Sequence, residues 1–363
     1  VFSTSAMNKY TFERENSHFF KALKDKVDAY FAHNRVQPTG NRKLLAKGVI
    51  QILSSIILYA VLVFFTPPTA AAIILCMVLG FNLAIIGFNV MHEGGHHTFS
   101  RQEWINHVSA YSLNVLGGIS YYWKIKHNIN HHTYTNIEGI DSDIDVKPFM
   151  RLHHGQPRRW FHRFQHIYWI FLYGVSYLAW IFYEDFQKYF SGRISPVGEQ
   201  MQMPFREHFI FWFTKVMYVM LYMIIPIVLV GFLSWLVGFI IVTFVCGLTT
   251  SIVFQLAHVV EGTQFHLPHD GQGRKYEWAI HQVVSTANFG TRSKVLHWFL
   301  GGLNFQVEHH LFPRISHIHY PAINQYVKEV CKEYNVVYNE YSSMLKAIAS
   351  HVIHLRKLGQ MKI

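Results

Sequence analysis

Two long stretches of this chain carry no charge. Residues 48–91 and 216–257 contain no Asp, Glu, Lys or Arg, and a helix needs about 20 apolar residues to cross a hydrocarbon core of about 30 Å. Each stretch has room for two crossings. Thr66-Pro67-Pro68-Thr69 divides the first, because proline cannot continue a helix and restricts the residue before it. The segment Gly231 to Gly238 divides the second. The expected fold is an all-α integral membrane protein with four transmembrane helices in two hairpins, near residues 48–65, 70–91, 210–230 and 236–257. Composition agrees, with 51% hydrophobic and 15% charged residues against roughly 25% charged in average soluble proteins.

Charge orients the helices. Arg42, Lys43 and Lys47 precede the first, Arg206 and Lys215 flank the third, and the hairpin turns carry none. The positive-inside rule then puts the turns outside and the remaining segments in the cytoplasm, at a bacterial inner membrane or the endoplasmic reticulum. The expected organisation is a cytoplasmic segment 7–47, a hairpin 48–91, a cytoplasmic segment 92–209, a second hairpin 210–257 and a cytoplasmic segment 258–363. Ile167 to Tyr183 is also uncharged, but it is short, rich in Trp and Tyr, and followed by Glu184 and Asp185. Trp and Tyr favour the water–lipid boundary, so this helix is expected to lie on the membrane. Cys76, Cys246 and Cys331 are dispersed and form no metal or disulfide framework. No nucleic acid partner is expected.

The chain has 25 histidines. His18, His33, His107, His208, His351 and His354 stand alone and read as surface or satisfied core residues. Three groups do not: His92-Glu-Gly-Gly-His96-His97, His127-Asn-Ile-Asn-His131-His132 and Gln306-Val-Glu-His309-His310. Residues three or four apart share one helix face, so each group presents a pair or trio to one point. His258 follows the last predicted crossing, opposite box one at the end of the second. A zinc peptidase also contains H-E-x-x-H, but it needs two histidines and one further ligand. Gly94-Gly95 suits a regular helix poorly, at about 1 kcal/mol per glycine. Eight or nine imidazoles exceed one ion and suit two, of zinc, copper, iron or nickel. A site at a membrane surface suits an acyl chain, and redox iron with dioxygen can remove hydrogen from saturated carbon where zinc cannot.

At these residues the sequence resembles the membrane fatty acid desaturases, a di-iron family with three histidine boxes. HNINHHTYTN (127–136) and GGLNFQVEHHLFP (301–313) look like the front-end branch, delta-6 or delta-5 in type, where glutamine opens the third box as Gln306 does here. The resemblance implies two non-haem irons, dioxygen as co-substrate, and ligands among His92, His96, His127, His131, His132, His258, Gln306, His309 and His310. His97 lies outside the usual pair and is carried as an uncertain ligand. The resemblance implies no catalytic residues beyond the metal ligands. The family usually has Asp where Glu93 stands. No HPGG motif of a fused cytochrome b5 domain occurs, so a separate ferredoxin or cytochrome b5 is expected to supply electrons, steered by a net charge of +11.

Trp123 and Lys124 are candidates to meet the substrate, a long-chain fatty acyl-CoA or an acyl lipid. Asp141, Asp143, Asp145, Glu261 and Glu308 are candidates to hold the outer ring nitrogens of ligands. His317 and His319 fit the extended third box. Arg101, Lys126, Arg151, Arg158 and Arg159 make the middle segment basic, which suits a CoA or phospholipid head group. A hydroxylase of the same metal class would use nearly the same ligands. A membrane metal-binding or transport protein would place polar residues in its crossings, and the two uncharged stretches hold few.

Overall fold

A computed structural model of the chain describes residues 12–13, 17–144, 146–194, 200–267 and 277–361. The described residues are mostly helical. Helix α1 spans His18–Asn34, α2 Arg42–Phe64, α3 Thr69–Gly95 and α4 Glu103–Val115. Helix α5 spans Ser120–Trp123 and runs on through a wide turn at Lys124–His131. Then come α6 Gln165–Ala179, α7 Asp185–Ser191, α8 Phe205–Val230 and α9 Phe232–His258. The remainder holds α10 Trp278–Ser285, α11 Lys294–Phe299, α12 Gln306–Leu311, α13 Tyr320–Glu333 and α14 Met344–Gln360. Two short parallel strands, β1 Asn288–Phe289 and β2 Glu340–Tyr341, pair Asn288 with Glu340.

Among the described residues four helices, α2, α3, α8 and α9, are long and apolar enough to cross a membrane. Their outer faces show why: Ile50, Ile57, Ile74, Phe213, Val228 and Leu233 are all exposed, a surface that water penalises and lipid does not. Asn41 starts α2 by accepting the Lys43 and Leu44 backbone N–H groups, as an N-cap does. The chain breaks at Thr66, whose φ is +41°, before the two prolines. It breaks again at Gly231 alone, at φ +83°, which glycine adopts without steric cost. Gly238 lies inside α9 and breaks nothing.

Helix α9 is the hub, packing along both α3 and α6, while α2 packs on α3. Glycines allow the close approach: a Cβ on Gly80 would meet Val242 O at 2.5 Å, and one on Gly247 would meet Gly174 O at 2.7 Å. Helix α6 buries Trp169, Tyr173, Gly174 and Tyr177 and exposes Ile167 and Phe171. It is not among the four long apolar helices.

Further details differ from the sequence expectation: Arg42, Lys43 and Lys47 lie in the first turns of α2 and do not precede it. Helix α3 does not stop at residue 91 but continues through the glycine pair to Gly95. The glycines are tolerated because a Cβ on Gly94 would strike Ala110 N at 2.7 Å, and one on Gly95 would strike the Trp123 ring at 2.2 Å. Lys215 is not a flanking surface charge. It lies within α8, buried, with Nζ donating to Asp185 Oδ2 (2.9 Å), Gly117 O (2.6 Å) and Ile181 O (2.7 Å).

Four wide turns, each closed by an i→i+5 hydrogen bond, interrupt the helices at Gly87–Met91, Lys124–His131, Trp180–Glu184 and Met220–Ile224. Such turns are rare and concentrate at functional sites. The last absorbs Pro226 in the following turn of α8.

The α3–α9 contact gives a direct test. Gly80→Ala is expected to cost about 1–3 kcal/mol, the range for overpacking, read as a lower unfolding midpoint in detergent. Gly87→Ala, whose Cβ would meet nothing within 4 Å, leaves the midpoint near wild type.

Candidate metal centre

Box one rides on the last turn of α3, box two on the wide turn after α5, His258 on the last residue of α9 and box three on α12. The i→i+5 ladder matters at box two. A regular helix would align His127 with His131; the wider turn also brings His132 to the same side, its N–H closing on His127 O.

The imidazoles form two sets. His92, His96, His127 and His309 offer nitrogens that all lie within 4.8 Å of one another, and so do His131, His258 and His310. His92 Nε2 stands 3.3 Å from His127 Nε2. His132 sits between the sets, its ring centroid 4.6 Å from His309 and 4.5 Å from His310. A third overlapping set joins His127, His131 and Asp143.

The outer nitrogens are held. His127 Nδ1 donates to Asp143 Oδ2 (3.0 Å) and His131 Nδ1 to Asp141 Oδ2 (2.9 Å). His309 Nδ1 pairs with the Tyr320 hydroxyl (3.1 Å), and His310 Nδ1 with Gln282 Oε1 (3.0 Å). The inner nitrogens are not held. Nε2 of His96, His131, His309 and His310, and both nitrogens of His132 and His258, are buried without a hydrogen-bond partner among the described residues. Gln306 Oε1 is buried and unpartnered as well. Leaving a buried polar atom unpaired costs about 1–3 kcal/mol, so this many together fit ligation by metal.

Electrostatics agree. Burial, joined by repulsion from neighbouring rings, holds His96, His132, His309 and His310 well below the ordinary 6.5, and neutral imidazole is the ligating form. Burial also acts against His131, but the Asp141 carboxylate outweighs it and raises that ring. Burial opposes the charge of Asp143, yet Lys126, 3.0 Å from Oδ1, and His127 hold its carboxyl well below the usual range.

Other residues are placed elsewhere. His97 adopts φ +61° and turns outward, half-exposed, onto Glu103 Oε1 at 2.6 Å. Trp123 forms a wall of the cluster, stacked on His127 with centroids 4.6 Å apart and planes 22° apart. Lys124 is half-buried beside it. Glu308 points away from the rings and accepts from Asn288 (2.6 Å), Asn324 (3.0 Å) and Tyr338 (3.1 Å). Glu261 pairs with Lys357 at the surface, and Asp145 lies outside the described residues. Arg151 is no surface charge: it is buried, donating to Gln156 O, His154 O and Leu358 O.

Three residues escaped the sequence reading. Asn136, at φ +57°, donates to His258 O, Gln264 O and Ser285 O. Tyr320 and Gln282 each sit behind a box-three ring. Tyr320 lies just past the HIH that follows box three, whereas nothing in the pattern marks Gln282.

A sequence model described as fatty acid desaturase matches residues 68–342. The chain belongs to the fatty acid desaturase family. It is 36% identical over 363 residues to an sn-1 linoleoyl-lipid 6-desaturase of Arthrospira platensis, covering 98% of this chain and 96% of the relative. It is 34% identical over 351 residues to a protein of the same name from Synechocystis, covering 94% and 96%. An acyl-lipid (8-3)-desaturase of Physcomitrium patens is 34% identical over 352 residues, covering 96% of this chain and 73% of the relative. The desaturase is an oxidoreductase and, with its four apolar helices, an integral membrane protein.

Two outcomes follow. His96→Ala is expected to lower the metal content of the purified desaturase, and His97→Ala to leave it unchanged, by elemental analysis. The second concerns pH. Below 6.5 the unfolded state of the metal-free chain takes up protons that folded His96, His132, His309 and His310 refuse. Stability then falls with acid by up to about 1.4 kcal/mol per pH unit per ring. Melting of chelator-treated protein should show a falling midpoint from about pH 6.5 downward.

Proposed function

We propose that this desaturase inserts a cis double bond into a long-chain acyl substrate between an existing double bond and the carboxyl end, using two non-haem irons and dioxygen. The two converging sets of nitrogens carry the proposal: His92, His96, His127 and His309 for one ion, His131, His258 and His310 for the other, with His132 between them. Gln306 is counted with the ligands because its buried Oε1 has no hydrogen-bond partner among the described residues. Gln306 and the 6-desaturase and (8-3)-desaturase names of its relatives favour the front-end outcome. Those names favour linoleate esterified in a membrane lipid over its CoA ester.

Bound iron supplies one-electron chemistry with dioxygen strong enough to take hydrogen from an unactivated methylene. The protein's own part is positional. Asp143, Asp141, Tyr320 and Gln282 fix the ring orientations, while burial keeps water out. Trp123, walling the first set, limits how the chain approaches, which matters because small misplacements are costly. Lys124 beside it is proposed to meet the polar end of the substrate. Overall, one acyl chain and one dioxygen, with two electrons and two protons, yield one alkene and two waters.

The two electrons are proposed to come from a separate ferredoxin or cytochrome b5. The charged residues at the start of α2 and the uncharged breaks at Thr66 and Gly231 favour two hairpins beneath a cytoplasmic cap that holds the histidines, with α6 on the membrane surface.

Expression in a host fed linoleate tests the proposal. A new acid two hydrogens poorer, with its new bond on the carboxyl side, is the expected product. It should vanish in His309→Ala and persist in His107→Ala. No new acid from linoleate, or a product that has gained oxygen, counts against it.

A further inference from the structure

We propose that Gln282 is a positioning residue that decides which nitrogen of His310 carries the ring proton, and so whether Nε2 is free to meet the metal centre, an inference that rests on the two-metal reading above. Gln282 lies on α10, outside every histidine box, and is fully buried. Its Oε1 stands 3.0 Å from His310 Nδ1 and 2.8 Å from Thr135 Oγ1, which lies 3.1 Å from the same Nδ1. Thr135 in turn lies 2.7 Å from His131 O, on the neighbouring box. The element that carries Gln282 is well held. Helix α10 packs on α12 and α1, and the adjacent His281 bonds Thr135 O at 2.8 Å through Nε2.

A neutral imidazole has one N–H and one lone pair. With the amide carbonyl toward it and the Thr135 hydroxyl hydrogen directed to His131 O, Nδ1 carries the proton, which leaves the Nε2 lone pair aimed into the cluster, without a partner among the described residues. An amide turned the other way would donate to Nδ1, move the ring proton to Nε2 and block ligation. The orientation of one glutamine therefore gates one ligand.

The choice of glutamine over a carboxylate has a charge argument. Each set of nitrogens already has one ring backed by a carboxylate, His127 by Asp143 and His131 by Asp141. Gln282 supplies the same acceptor without a carboxylate behind a third ring, a further buried negative charge being costly where no water reaches.

Cobalt(II) titration of the full-length, chelator-stripped protein in detergent tests this, with affinity from chelator competition and ligand geometry from the visible spectrum. Gln282→Met keeps the size and loses the carbonyl, leaving beside Nδ1 the Thr135 hydroxyl, which can donate as well as accept. It is expected to weaken one of two cobalt equivalents by about tenfold to a hundredfold, with an altered spectrum for that equivalent and the other unchanged. Gln282→Glu, which keeps the acceptor, should bind both. The inference is overturned if Gln282→Met binds both equivalents as the wild type does, or if both variants lose both equivalents alike. A wild-type chain that takes up a single equivalent overturns the two-metal reading itself, before any substitution is compared.

Discussion

The desolvation of imidazole governs this molecule. Rings from four separate segments are driven together with most of their inner nitrogens unpartnered among the described residues, an arrangement that opposes folding unless something binds there. Metal affinity and fold stability are consequently linked. The supporting structure is built to keep the cluster neutral and oriented. Among the described residues, carboxylates stand behind two of the rings, His127 and His131. A phenol, an amide and close packing serve the others, and Lys126 compensates Asp143 from outside.

Box one is tied to box three by Glu93, the residue that departs from the usual aspartate. It does not face the rings. Its Oε2 accepts from Ser316 (2.8 Å) and Thr98 (2.9 Å), and its Oε1 accepts the His317 backbone N–H at 3.0 Å and pairs with His317 Nδ1 at 2.8 Å. The extra methylene of glutamate gives the reach for this cross-link. On the other side Asn288, fixed in β1, caps the Val307 N–H (2.9 Å) and binds Glu308 (2.6 Å), holding α12 from behind. The acidic residues next to the histidines are thus mostly structural, apart from Asp141 and Asp143.

Much of this was legible in the sequence because two strong signals dominate it. Absence of charge over 48–91 and 216–257 marks the four long helices, and the histidine spacing marks the rings that meet. What was not legible depended on local backbone departures. The i→i+5 turn at box two cannot be read from residue types, so helix spacing aligned only His127 with His131, and His132 entered the ligand set through the resemblance alone. Lys215 looked like a flanking charge because its partner, Asp185, sits thirty positions earlier in the chain. The glycine pair looked wrong for a helix until Trp123 and Ala110 were seen against it. Gln282 carries no motif, and only packing reveals it.

The wide turn at Gly87–Met91 sets the angular phase of everything beyond it. A regular helix advances each residue by about 100°, so the extra residue swings His92 and His96 around by that amount relative to the lipid-facing stripe of α3. With that residue removed, the lower part of the helix would seat unchanged between its neighbours, yet both rings would sweep off the shared focus. The apolar shaft and the polar tip of α3 are thus free to follow separate sequence rules, joined by a single residue of slack.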